Sequence, residues 1–104
     1  MSDQGLLNKL EQISFKYDEI AKQMVDPDII SDMKRYVNLN REYKELSEIV
    51  KVYHLYRDVL TNIENAKNII QTESDLEFKE MAREELDDFQ KTKLDLDEKI
   101  KWLL

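Results

Sequence analysis

The chain has 104 residues, with 16 Lys and Arg against 23 Asp and Glu, one Gly, one Pro and no Cys, for a formal net charge of −7. The lack of cysteine rules out disulfides, thiolate chemistry and a Cys-based zinc site, and one Gly with one Pro is too little turn chemistry for a β-protein of this size. The acidic excess opposes binding to nucleic acid or anionic membranes by the chain as a whole.

The length predicts a single helical domain over residues 1–104. The opening residues Met1-Ser2-Asp3-Gln4 lack the basic region and apolar stretch of a secretory signal, and no run approaches the roughly 20 apolar residues that span a bilayer. The first predicted helix covers residues 4–25. Leu6, Leu10, Ile13, Tyr17, Ile20 and Met24 alternate spacings of four and three, the 3.5-residue period of a coiled-coil seam. Asp26-Pro27-Asp28 then ends it. The residue before a proline is pushed out of the α region, while Pro suits the first position of a new helix with Asp26 as its N-cap.

The second predicted helix covers residues 27–71. Ile29, Met33, Tyr36, Leu39, Tyr43, Leu46, Val50, Tyr53, Tyr56, Leu60, Ile63, Ala66 and Ile70 follow at spacings of three and four, with Asn38 and Asn40 as the one place for a weak bend. Unbroken, it makes a rod of roughly 66 Å. Ser74-x-x-Glu77 reads as a capping box. The third predicted helix, over residues 75–103, sets Phe78, Ala82, Leu86, Phe89, Leu96, Ile100 and Leu103 on its apolar positions, with Asp87/Lys91, Asp95/Lys99 and Asp97/Lys101 as acid-first i,i+4 pairs. Short connections force antiparallel neighbours. The expected fold is therefore all-α: an antiparallel three-helix bundle built on a long, coiled-coil-like hairpin. The apolar, uncapped ending Lys101-Trp102-Leu103-Leu104 either closes the core or marks a longer chain.

No residues converge on catalytic chemistry. His54 is the only histidine and stands among Tyr53, Leu55 and Tyr56, which points to a partly packed structural role. Lys51 occupies the position where a di-iron Glu-x-x-His motif needs its acid. Glu84/Glu85 and Asp87/Asp88 read as solvated charge rather than an acid–base pair. One glycine precludes a P-loop or dinucleotide fingerprint, and Asp26-Pro27-Asp28 lacks the glycine of a calcium loop. Four of the five tyrosines fall on the long helix's periodicity, which favours packing over base stacking. No catalytic residue, cofactor or metal is expected. Charge is uneven: residues 32–57 carry six basic side chains against four acidic, and residues 71–98 eleven acidic against four basic. Lys34, Arg35 and Arg41 read by default as solvated helix surface, and are the places where phosphate could be met.

Particular strings allow a further comparison: Lys16-Tyr17-Asp18-Glu19-Ile20, Asp26-Pro27-Asp28-Ile29, Tyr36-Val37-Asn38-Leu39-Asn40-Arg41-Glu42-Tyr43, Leu46-Ser47-Glu48-Ile49-Val50, Met81-Ala82-Arg83-Glu84-Glu85-Leu86 and the ending Lys99-Ile100-Lys101-Trp102-Leu103-Leu104. In order and spacing they resemble the N-terminal domain of bacterial class I peptide chain release factors, closer to the branch reading UAA and UAG than to its UGA-reading sister. The resemblance implies a cytoplasmic role in translation termination and contact with the stalk base of the large ribosomal subunit, near ribosomal protein L11 and rRNA. It also implies recycling by the class II GTP-binding release factor. The family's Gly-Gly-Gln hydrolysis motif and Pro-x-Thr codon-reading motif are absent from these 104 residues, so the expectation is the first domain of a longer protein, neither enzyme nor codon reader by itself. Arg35, Arg41 and Lys44, in the less acidic stretch, are the expected ribosome contacts. A structural coiled-coil or adaptor module unrelated to translation is the alternative that the periodicity alone leaves open.

Overall fold

The structure, a computed structural model, describes residues 2–104, so the N-terminal reading as it concerns Met1 lies outside the described residues. All its elements are helices: α1 (Asp3–Met24), α2 (Pro27–Ile30), α3 (Met33–Thr72) and α4 (Leu76–Leu103). The chain divides into two compact units, the first running to Tyr53 and the second from His54 to Trp102.

In the first unit, the Ser2 hydroxyl caps α1 by accepting the Gly5 N–H at 3.0 Å. Leu10 and Ile20 are buried, while Leu6, Ile13, Tyr17 and Met24 are half-buried, so the α1 seam is where its spacing placed it. The helix ends before Pro27, and Asp26 caps α2 by accepting the Asp28 N–H at 2.9 Å. α2 is a single turn packed on α1, with Ile29 as its buried residue.

The expected helix over 27–71 is two helices. The Ser31 hydroxyl donates to the Asp28 carbonyl, and the Asp32 carboxylate accepts the Arg35 N–H at 3.2 Å while its carbonyl takes that of Tyr36. Such local side-chain bonds compete with the helical ladder, and here they close one helix and open the next. Met33, expected in the seam, is in consequence 71% exposed. Beyond it α3 runs through Asn38 and Asn40 without a break.

The buried line of α3 changes register. Tyr36, Leu39, Tyr43, Leu46 and Val50 form the first seam. The second follows Val52, Tyr56, Val59, Ile63, Ala66 and Ile70, at spacings of four and three. The single seam expected holds the whole first register and Tyr56, Ile63, Ala66 and Ile70 of the second; it lacks Val52 and Val59, at 1% and 4% exposure.

In the second unit three residues join α3 to α4, and helices so closely linked run antiparallel. The N-cap is Asp75 rather than Ser74: its carboxylate accepts the Glu77 N–H at 2.9 Å and that of Phe78 at 3.4 Å, a stronger acceptor than a hydroxyl one residue too early. The Glu73 carboxylate in turn accepts the N–H groups of Ser74 and Asp75. Ala82, Leu96 and Ile100 are the buried residues of α4. Of the expected ion pairs, Asp87–Lys91 forms at 3.0 Å, whereas Asp97 takes Lys93 and Lys101 turns to Glu98. Trp102 is 87% exposed and closes no core.

Candidate functional site

The first 20 residues of α3 hold the basic side chains of interest, and α1 fixes the side of the helix on which they stand. Tyr17 and Tyr43 stack with ring centroids 4.4 Å apart and planes 15° from parallel. Lys16 reaches Glu42 at 2.7 Å across the same pair of helices. Offset or parallel aromatic pairs contribute about 0.5–1.5 kcal/mol beyond their buried area. The hydrogen bond with Tyr43, then partial burial, then the nearby Tyr43 and Asp18 charges raise the Tyr17 hydroxyl above the ordinary tyrosine value.

Arg35, Arg41 and Lys44 are all exposed on α3, but they do not form one site. At about 100° per residue, Arg41 and Lys44 lie about 60° apart around the helix, whereas Arg35 lies about 120° from Arg41. Lys34, seven residues before Arg41, is about 20° from it and joins that pair. Lys34, Arg41 and Lys44, with the half-exposed Val37 between them, thus form a basic strip facing away from the Tyr36, Leu39 and Tyr43 seam. Among the described residues none of the three takes part in an ion pair. The seven-residue spacing of Lys34 and Arg41 was the signal for this grouping; adjacency in sequence pointed instead to Lys34 and Arg35, which diverge.

His54 is exposed rather than packed: at about 100° per residue it lies about 160° around α3 from Val52 and Tyr56. Tyr53 and Tyr56 are buried, and Tyr17, Tyr36 and Tyr43 are half-buried, so the tyrosines serve packing. The Lys93 ammonium stands 5.9 Å from the Tyr56 ring centre while also bonding Asp97 at 3.1 Å. Glu84, Glu85, Asp87 and Asp88 are exposed, and the hydrogen bond that Lys91 donates to the Asp87 carboxylate raises the Lys91 ammonium above its ordinary value. Among the described residues no group of three or more His, Cys, Asp or Glu side chains is arranged to hold a metal ion, and no helix is long and apolar enough to cross a membrane.

Residues 13–104 match the family model described as the PCRF domain. Over 99 residues the chain is 48% identical to peptide chain release factor 1 of Amoebophilus asiaticus, covering 95% of this chain and 28% of that relative. It is 48% identical to peptide chain release factor 1 of Cytophaga hutchinsonii, again over 95% of this chain and 28% of the relative. With the protein of the same name from Parabacteroides distasonis it shares 43% identity over 104 residues, all of this chain and 28% of the other. The chain spans little more than a quarter of the length of these relatives. No solved structure gives a significant match.

Proposed function

The chain belongs to the PCRF domain family, and from that membership we propose that it acts in translation termination, as the part of a class I release factor that contacts the ribosome. The observation that carries the reading is the match of residues 13–104 to this family together with relatives that bear the name peptide chain release factor 1 at up to 48% identity. Peptide release and stop-codon reading are assigned to other parts of such a factor, since neither Gly-Gly-Gln nor Pro-x-Thr occurs in this sequence. The role proposed for these 104 residues is binding, not catalysis, in the cytoplasm.

The proposed partners are the stalk base of the large subunit, with ribosomal protein L11 and adjoining rRNA, and the class II GTP-binding factor. Charge supports a division between them. An acidic chain meets a ribosomal protein more readily than bare RNA, and its strip of Lys34, Arg41 and Lys44 is the part suited to phosphate. Of the three residues expected from sequence, Arg41 and Lys44 are assigned to one contact, and Arg35 to a separate one.

Co-sedimentation of the chain with ribosomes tests this. Binding is expected, weakened by the pair Arg41→Glu and Lys44→Glu at least about tenfold, and weakened less by Arg35→Glu. If the paired reversal leaves binding unchanged, the placement of the contact is wrong. If the unaltered chain does not sediment with ribosomes, the contact itself is.

A further inference from the structure

The second unit has an apolar groove that its own core leaves open. It lies beside the α3–α4 turn, has a volume of about 280 Å³, and is lined by Ile69, Glu73, Phe78, Met81, Ala82 and Glu85. Phe78 and Met81 are 56% and 51% exposed and Ile69 39%, although all three are large and apolar. Sequence spacing put Phe78 in the core of α4; in the structure this ring, in the first turn of the helix, is exposed and stands at the groove's edge.

The rim is acidic on one side. Around α4, Glu77, Glu84, Glu85 and Asp88 all fall within about 60° of Met81, while Lys79 and Arg83 lie about 160° away. Among the described residues none of these four carboxylates takes part in an ion pair, in contrast to Glu80 with Arg83 and Asp87 with Lys91. An apolar floor with unneutralised acid along one edge selects its occupant by charge. Anionic lipid and nucleic acid are repelled. A second copy would bring the same acidic rim and a net charge of −7.

We infer that this groove docks a cationic amphipathic helix of a partner protein, which places one or two apolar side chains between Ile69, Phe78 and Met81 and sets Lys or Arg against Glu77, Glu84, Glu85 and Asp88. A volume of about 280 Å³ suits one or two such anchors rather than a longer apolar stripe. Helix-in-groove recognition reads anchors at i, i+3 and i+4, and the flanking charge sets orientation and partner choice. The groove takes such a segment whether or not the chain acts on the ribosome, so a failure here leaves the ribosome reading intact.

The probe is a fluorescent helical peptide with Leu at i, i+3, i+4 and i+7 and Lys on its other face, compared with one bearing Glu in place of Lys and one bearing Ala in place of Leu. Binding is read by anisotropy, and its place by NMR shifts of the Met81 and Ala82 methyl groups. The Lys–Leu peptide is expected to bind, to shift those methyls and to weaken as salt rises; the other two peptides bind at least about tenfold more weakly. Phe78→Ala with Met81→Ala is expected to weaken it by about tenfold, with helicity by circular dichroism confirming that these exposed positions leave the fold intact. Glu84→Gln, Glu85→Gln and Asp88→Asn together flatten the salt dependence. Equal binding of the Glu peptide, shifts confined to other residues, no binding, or unchanged affinity in the groove variants overturns the assignment. Dimerisation in sedimentation that Met81→Lys abolishes also overturns it, and gives the groove to a second copy.

Discussion

The two lengths of α3 are held by different means. In the first, Tyr36, Leu39, Tyr43 and Leu46 are only half-buried, and the helix is tied to α1 by a stacked tyrosine pair and an ion pair between helices. In the second, Tyr56, Val59, Ile63 and Ala66 are nearly or wholly withdrawn from water. Burial of a large apolar side chain stabilises by about 1.5–3 kcal/mol, whereas an exposed ion pair contributes about 0–1 kcal/mol. The second length therefore carries more of the stability. The first is held by contacts that specify which residues meet more than how tightly.

Four measurements sharpen or break this contrast. The largest effect is expected for Tyr56→Ala, which removes a fully buried ring and the face that Lys93 stands over; urea denaturation should show a loss of about 3–5 kcal/mol. Tyr43→Ala should cost about 2 kcal/mol, from the stack and half a ring's burial. If it costs as much as Tyr56→Ala, the contrast fails.

The same pair has a signature in pH. The Tyr17 hydroxyl is raised above its unfolded value of about 10, so its contribution is fully present below that value and is lost as pH climbs through the higher folded one. A tyrosinate absorbance titration should show Tyr17 ionising nearer the ordinary value once Tyr43→Phe removes its hydrogen-bond partner. The smallest effect is expected for the Lys16–Glu42 pair, at side-chain exposures of 62% and 38%: a double-mutant cycle should return under about 1 kcal/mol, smaller still at high salt.

Much of this was legible in the sequence where a local rule decided the outcome. The Asp26-Pro27 boundary and the α1 seam follow from chemistry within a few residues. The break at Ser31 and Asp32 was missed because both residue types are tolerated inside helices, and only the bonds they make distinguish a cap from a passing polar residue. Ser74 was preferred to Asp75 because two adjacent residues both had capping side chains, and the choice depended on which one met the free amides. The change of register at Val50 and Val52 was hidden by redundancy. Val50, Tyr53 and Tyr56 are all buried and follow at spacings of three, so a continuous seam runs from the first register into the second and passes over Val52. At the basic strip the residues were visible and the grouping was not, because Arg35 and Arg41 are close in number yet well apart in angle. The groove was illegible altogether: Phe78 and Met81 look like any other apolar residues of an amphipathic helix until their exposure is known.

The turn between α3 and α4 bears on proteolysis. Exposed turns are the usual places where proteases cut, and a protease needs a stretch of backbone it can draw out and pair with. Here the Glu73 N–H bonds the Ile69 carbonyl, Glu73 itself holds the amides of Ser74 and Asp75, and Asp75 holds those of Glu77 and Phe78. The reversal offers a cutting enzyme few amides that are not already engaged, so a chain bend on the surface is protected by two carboxylates rather than by being buried.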